Sequence, residues 1–288
     1  MRKKIVLNGA LIEAETAGIS PLGEGFLYGR GIFETVKLAA GKPVFFAEHT
    51  ERLRRSAGEL ALDWSVSDEE LGSRCRVVAE ANAIADGVLK IVVFQDEKGV
   101  GELLLTRENP YPLGRHAQGF KLNAVLDAGR SGKTHRLKTL NQLSNVMARA
   151  KARADGWDEA LFHDSNGGLL EGTATNLFVV SRGVTRATGL HAPILPGIAR
   201  AVVLRLRLGG RIEEATVTLA QALEADEVFV TNSLVGVMPV SRIDGRDYDL
   251  SQNPVTQSVM SAFRLAEAES IDRFCRTAFG KRRSFSSE

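Results

Sequence analysis

The chain has 288 residues with 44% hydrophobic content, enough to bury a core in one large domain or two smaller ones. Its 37 basic and 35 acidic residues leave a formal charge of only +2, so no electrostatic footprint for nucleic acid or a membrane surface exists and small molecules are the expected partners. Cys75 and Cys275 stand outside any CxxC or Cys/His cluster, which leaves a disulfide framework or a metal site without ligands. With no signal-peptide core after MRKKIVLNG and no run near the roughly 20 apolar residues of a membrane helix, the expected compartment is the cytoplasm.

The first segment, Lys4 to Glu15, carries apolar runs on either side of Asn8-Gly9, a dipeptide suited to a two-residue hairpin turn. Residues Gly31 to Phe46 repeat that design around Gly41 and Pro43. In AEHTERLRRSAGELAL, Leu53, Ala57 and Leu60 share one helical face, and Arg52, Arg54 and Arg55 fall on others. Ser67 is a good N-cap for a second helix marked by Leu71, Cys75 and Val78. The strands LKIVVFQD and ELLLTREN flank EKGVG, and Asn109-Pro-Tyr-Pro-Leu-Gly114 then breaks regular structure.

The second half opens with the strand GFKLNAVLD and a glycine-containing loop. From Thr139 a helix is expected with Leu140, Leu143, Met147 and Ala150 as its apolar stripe, and Lys138 sits just before it. Glu159 to Val180 reads as a hairpin turning at Asn166-Gly167. A helix follows Ile194-Leu-Pro-Gly197, a strand covers Glu227 to Val230, and a terminal helix spans Thr256 to Phe274. The resulting division is an N-terminal α+β domain over 1–112, a linker over 113–119, a C-terminal domain over 120–280 and a disordered tail over 281–288. Hairpins and helices without regular βαβ alternation argue for an α+β fold. Walker, HExxH, GxSxG and GxGxxG patterns are absent.

The segment HRLKTLNQLSNVMARAKARADGWDEALFHDSNGGLLEGTATNLFVV resembles the central signature of the class IV aminotransferases, the fold type IV pyridoxal-phosphate enzymes. That family includes branched-chain and D-amino-acid aminotransferases and aminodeoxychorismate lyase. Lys138, Asn141, Glu171, Gly172 and Asn176-Leu-Phe178 match in order and spacing, as do GRGIFET, EHTERL, ILPGIAR and EVFVTNS, so the resemblance covers nearly the whole chain. It implies a smaller N-terminal α+β domain, a larger C-terminal domain with a pseudo-barrel, pyridoxal 5'-phosphate between them, and a homodimer that completes each site.

By that resemblance Lys138 carries the cofactor as an imine and then serves as acid and base, as pyridoxal chemistry requires of a lysine amine. Glu171, inside an otherwise apolar strand, matches the carboxylate that keeps the pyridine nitrogen protonated. Thr175 and Asn176 follow it in the cofactor-binding segment. Gly197, Ile198 and Ala199 match the phosphate cup at a helix start, Arg52 the phosphate-binding arginine, and Thr231, Asn232 and Ser233 the hydroxyl-bearing turn. Tyr28, Phe33 and Arg107 are the candidate substrate contacts. Considered alone, a lysine ahead of a helix is ordinarily solvated, Glu171 could be an exposed strand residue, and Arg52 and Arg30 could be surface arginines. No histidine shows catalytic spacing.

Two departures bear on the reaction. Gly29-Arg30-Gly31 stands where relatives often have Gly-Asp-Gly, and Gln95-Asp96-Glu97 stands where many bring arginine and glycine to the active-site rim. Thr231-Asn232-Ser233 is closer to lyase-like relatives. The preferred activity is amino-group transfer between an amino acid and a 2-oxo acid, with release of pyruvate from aminodeoxychorismate as the alternative and a non-catalytic cofactor-binding relative as a third reading.

Overall fold

The protein is described from a computed structural model covering residues 3–112, 114–127, 132–206 and 210–279. The chain divides into two compact units. The first comprises Met1–Pro110, Lys138–Asn141 and Ala266–Glu288, and the second comprises Tyr111–Leu137 and Gln142–Leu265.

In the first unit β1 (Lys4–Leu7) and β2 (Ala10–Glu13) form the expected hairpin, with Asn8 and Gly9 at φ 50° and 82° as a two-residue turn requires. After α1 (Glu24–Tyr28) come β3 (Gly31–Ala39) and the two-residue β4 (Lys42–Pro43), then α2 (Phe46–Glu59) and α3 (Asp68–Ala81). Ser67 caps α3, its side chain accepting from the Glu70 N–H. A long hairpin of β5 (Gly87–Asp96) and β6 (Gly99–Arg107) completes a sheet ordered β2-β1-β6-β5-β3-β4, antiparallel at every step. The alternation of β3 turns Ile32, Glu34, Val36 and Leu38 inward and leaves Phe33, Thr35 and Lys37 half-buried on the other face. Ile32, Val36, Ile91 and Leu104 of the sheet pack with Leu53 and Ala57 of α2 and Leu71, Cys75 and Val78 of α3.

The second unit contains α4 (Arg115–Gln118), β7 (Phe120–Leu126), α5 (Leu143–Ala154), β8 (Glu159–His163), β9 (Leu169–Gly172), β10 (Asn176–Ser181) and β11 (Val184–Thr188). It continues with α6 (Ile198–Arg205), β12 (Arg211–Ala215), α7 (Leu219–Leu223), β13 (Glu227–Asn232), β14 (Gly236–Ile243), β15 (Arg246–Asp247) and α8 (Pro254–Phe279). Its sheet runs β12-β11-β10-β13-β14-β7-β8-β9, and β9 pairs back onto β10 at Glu171↔Asn176. The strands from β10 through β13, β14, β7 and β8 to β9 therefore close into a pseudo-barrel filled by Leu122, Leu161, Leu177, Val230, Met238 and Val240. Glu227 caps α8, accepting from the Val255 and Thr256 N–H groups and the Thr256 hydroxyl.

Several expectations are corrected. The helix expected from Thr139 begins at Leu143, because Thr139 and Leu140 pair with β3 instead. Its expected core stripe is not buried: Leu143 and Met147 are 72% and 63% exposed, Ala150 is exposed and Leu140 is half-buried. The single strand after Asn166-Gly167 is two strands, β9 and β10, broken at Thr173–Thr175. The region lacks regular βαβ alternation, yet β7 runs parallel to β8 and β14, and β11 parallel to β12. Within the two units Tyr111 opens the second, and Lys138–Asn141 and the chain from Ala266 go with the first. The linker holds α4, with Tyr111 against Phe120. The tail 281–288 lies outside the described residues.

Candidate active site

In the first unit Lys138 is set by strand pairing. The Phe33 N–H donates to the Lys138 carbonyl at 2.9 Å, Leu140 N–H donates to the Gly31 carbonyl at 3.0 Å, and Ile32 bridges Thr139. The segment is thus a short extra strand on the edge of β3 opposite β5. Asn141 extends the hold, its amide donating to the Gly29 carbonyl at 3.3 Å. Lys138 is half-buried, with Nζ 4.6 Å from the centre of the Phe33 ring. Lys90, arriving from β5 on the other side of β3, places its own Nζ 4.3 Å from the same ring. Burial, together with the nearby Arg107 charge, lowers the Lys90 pKa.

On the opposite face of β3, Glu34 meets α2. Its Oε2 accepts from Arg52 Nη2 at 2.6 Å and lies 2.7 Å from His49 Nδ1, while Oε1 accepts from Arg52 Nε at 2.7 Å. All three side chains are buried. Burial alone would raise the Glu34 carboxyl, but the Arg52 guanidinium and His49 outweigh it and hold the group well below the usual carboxylate range. His49 moves down, chiefly from burial, with Glu34 opposing and the Arg52 and Lys138 charges assisting. The sequence pattern puts Arg52 off the apolar face of α2; the structure buries it there on a charged partner. His49, unassigned from sequence, belongs to the same cluster.

In the second unit, register aligns three candidates in one row: Glu171 of β9 opposite Asn176 of β10, and Asn176 opposite Thr231 of β13. The Asn176 amide donates to Glu171 Oε2 at 3.2 Å and to the Leu195 carbonyl at 2.9 Å, while Leu195 N–H donates to Glu171 Oε2 at 3.1 Å. One carboxamide thereby ties the Glu171 strand to the loop that begins α6. Gly197, the N-cap of α6, has no room for a Cβ because Asn176 Oδ1 fills the space. It supplies no side-chain cap, so the first N–H groups of α6, at Ile198 and Ala199, lack the intrahelical partners that later ones have. Thr231 Oγ1 is fully buried without a hydrogen-bond partner among the described residues. A helix start of eight residues, an unsatisfied buried hydroxyl and a fixed carboxylate suit a group with a phosphate at one end and a basic nitrogen at the other.

The remaining candidates are less central. Thr175 Oγ1 donates across to Glu159 of β8 at 3.1 Å, and Asn232 Oδ1 accepts from the Leu234 and Val235 N–H groups of its own turn. Ser233 follows β13, half-buried. Tyr28 is 72% exposed at the end of α1, and Arg107 is exposed at the end of β6. Arg30 is paired with Glu24 at 2.5 Å and caps the Leu60 carbonyl. The sequence pattern alone does not single out the inward charges Glu34 and Glu159 or the half-buried Lys90. Their shared signal is an ionisable residue within a strand whose neighbours are apolar.

The family model for amino-transferase class IV matches residues 31–243. A putative branched-chain-amino-acid aminotransferase of Methanocaldococcus jannaschii is 31% identical over 91% of this chain and 95% of its own. A D-alanine aminotransferase of Bacillus licheniformis is 30% identical over 91% of this chain and 96% of its own. The crystal structure of the branched-chain aminotransferase from the thermophilic archaeon Thermoproteus uzoniensis with norvaline is similar at a TM-score of 0.85 and 26% identity, covering 96% of this chain and 98% of that one. Matched along nearly all its length in sequence and in fold, the chain belongs to the class IV aminotransferases, pyridoxal-phosphate enzymes of fold type IV.

Proposed function

We propose that the chain moves an amino group between an amino acid and a 2-oxo acid, with Lys138 as the catalytic residue and the Glu171–Asn176–Thr231 row as the cofactor seat. The observation that carries this reading is the Asn176 carboxamide. It ties a buried carboxylate to the loop that begins a helix, and the pairing of its strand with β13 sets Thr231, with its unsatisfied hydroxyl, opposite it on the barrel. When bound, pyridoxal phosphate supplies an electron sink for the electron pair left at the substrate Cα.

The chain's own residues do the rest. Lys138 Nζ would remove the proton from the substrate Cα as a base and, once protonated, would deliver it as an acid to the C4′ position of the bound cofactor. Strand pairing with β3 fixes the backbone of Lys138, and the Phe33 ring beside its amine limits water and rotamers. The Glu171 carboxylate stabilises a protonated ring nitrogen. Ile198 and Ala199 N–H and the Thr231 hydroxyl are the donors that the second unit offers a phosphate, and Arg52, oriented by Glu34 within the first unit, is the arginine that the family resemblance assigns to it. Lys90 has no carboxylate partner among the described residues and offers its charge to a substrate carboxylate on the far side of Phe33.

The proposed assembly is a homodimer. It is supported by the exposed Leu143, Val146 and Met147 stripe of α5 and by Phe26, Leu27 and Tyr28 of α1, exposed at 70%, 50% and 72%. No helix among the described residues is long and apolar enough to cross a membrane, and the two unpaired cysteines suit the cytoplasm.

Incubating the protein with paired amino acids and 2-oxo acids tests the reaction. Formation of the new amino acid, stopped by Lys138→Ala, is the expected result. Pyruvate release from aminodeoxychorismate without any amino-group transfer would replace it with the lyase reading.

A further inference from the structure

The turn between β9 and β10 joins Glu171 to Asn176, and its shape sets how those two side chains meet. Only Thr173, Ala174 and Thr175 separate the strands after Gly172, and Gly172 N–H closes the reversal on the Thr175 carbonyl at 2.8 Å. The donors of this turn go to β8. Thr173 N–H donates to the Ala160 carbonyl at 3.1 Å, the Thr173 hydroxyl to Glu159 Oε1 at 2.9 Å, and the Thr175 hydroxyl to Glu159 Oε2 at 3.1 Å. Ala174 N–H also donates to Glu159 Oε1.

One carboxylate therefore gathers three donors from three consecutive residues. Arg149 of α5 braces it, its Nε donating to Thr173 Oγ1 at 2.9 Å. A Cβ at Gly172 would stand 2.8 Å from Glu159 Oε1, so the backbone closes directly onto the carboxylate. Glu159 is buried at the start of β8. Apolar packing does not ask for a charge there, and burial raises the carboxyl pKa despite Arg149 and the three hydrogen bonds. The three donors of the turn are what the carboxylate answers.

We propose that Glu159 is a positioning residue for the reaction: by gathering Thr173, Ala174 and Thr175 it fixes the turn that holds Glu171 against Asn176 and Leu195. It touches neither cofactor nor substrate. The proposal rests on the reading in which Glu171 faces the cofactor ring nitrogen.

The test compares Glu159→Ala, Glu159→Gln and Glu171→Gln by two readouts on the cofactor-loaded protein, the pH titration of the bound chromophore and the cofactor dissociation constant. Glutamine keeps an oxygen for Thr173 and Ala174 and can donate to the Thr175 hydroxyl. Glu159→Ala is expected to move the titration in the same direction as Glu171→Gln and to weaken cofactor binding at least tenfold, with Glu159→Gln restoring both to within about twofold. A folded Glu159→Ala with wild-type titration and affinity, lower only in melting temperature, overturns the proposal while leaving an altered Glu171→Gln to support the ring-nitrogen reading. If Glu171→Gln is itself unchanged, that reading has failed and the proposal falls with it. Should Glu159→Ala not fold, Thr175→Val removes one donor alone. A shift in the same direction with at least threefold weaker binding is then expected, and wild-type values overturn the role of Glu159.

Discussion

Glu34→Gln is the most informative single perturbation of the first unit. The carboxylate accepts from Arg52 Nε and Nη2 at 2.7 and 2.6 Å and meets His49 Nδ1 at 2.7 Å, and all three groups are buried. Glutamine has nearly the same shape, so packing is preserved. Its NH2, however, must face a donor in either orientation: Arg52 Nε if the oxygen takes the Oε2 position, Arg52 Nη2 if it takes the other. Breaking one partner out of a buried pair costs about 3–5 kcal/mol, because the other charge stays behind uncompensated. Against a typical total stability of about 5–15 kcal/mol this is a large fraction. At a urea slope of about 3 kcal/mol per molar, the midpoint should fall by about 1 M or more. Urea denaturation at fixed cofactor concentration measures it, since bound ligand adds its own stabilisation. Replacing both charges, as Glu34→Leu with Arg52→Met, should cost less than Glu34→Gln alone. A Glu34→Gln midpoint indistinguishable from wild type would refute the claim that the ion pair is buried and coupled.

The double variant also isolates the role of Arg52 in cofactor binding: with its fold kept, loss of one charge-assisted contact of about 1.5–3 kcal/mol should weaken pyridoxal-phosphate affinity by roughly ten- to a hundredfold, and an unchanged dissociation constant removes Arg52 from the phosphate site. His49 has a folded-state pKa below its unfolded value of 6.5, so its contribution to stability is present above pH 6.5 and lost as pH falls through the lowered folded value. His49→Asn, which keeps a donor towards Glu34, should flatten the decline in stability between about pH 6.5 and pH 5; parallel declines in the two proteins would contradict this. Light scattering should report a dimer, and Leu143→Asp with Met147→Asp should shift it to monomer; a wild-type chain active as a monomer would show that α5 is not an interface.

What the sequence made legible was local chemistry. Asn8-Gly9 and Ser67 act on their own neighbours, and both elements formed as their residue types require. The start of α5 was misplaced because Leu140 and Thr139 satisfy their backbone groups on β3, more than a hundred residues upstream, and tertiary pairing overrides helical periodicity. The β9–β10 break was hidden because buried, largely apolar runs continue on both sides of Thr173–Thr175, where small residues permit a reversal onto Glu159. The edge strand β12, RIEEA, is too polar to read as a strand without its parallel partner β11. Glu171 and Thr231 could be named from their motifs, but not the row through Asn176 that joins them, which depends on register. Arg52 could be named as well. Its burial could not, because Glu34 lies on a strand that only the fold brings beneath α2.

The central claim is that Lys138 is the lysine that holds the cofactor. Loading the protein with pyridoxal phosphate, reducing it with borohydride and mapping the modified peptide by mass spectrometry tests this directly. A single stable adduct on Lys138, absent in Lys138→Ala, is the expected result. An adduct on Lys90, the other amine beside Phe33, or no adduct after full reconstitution, would contradict it.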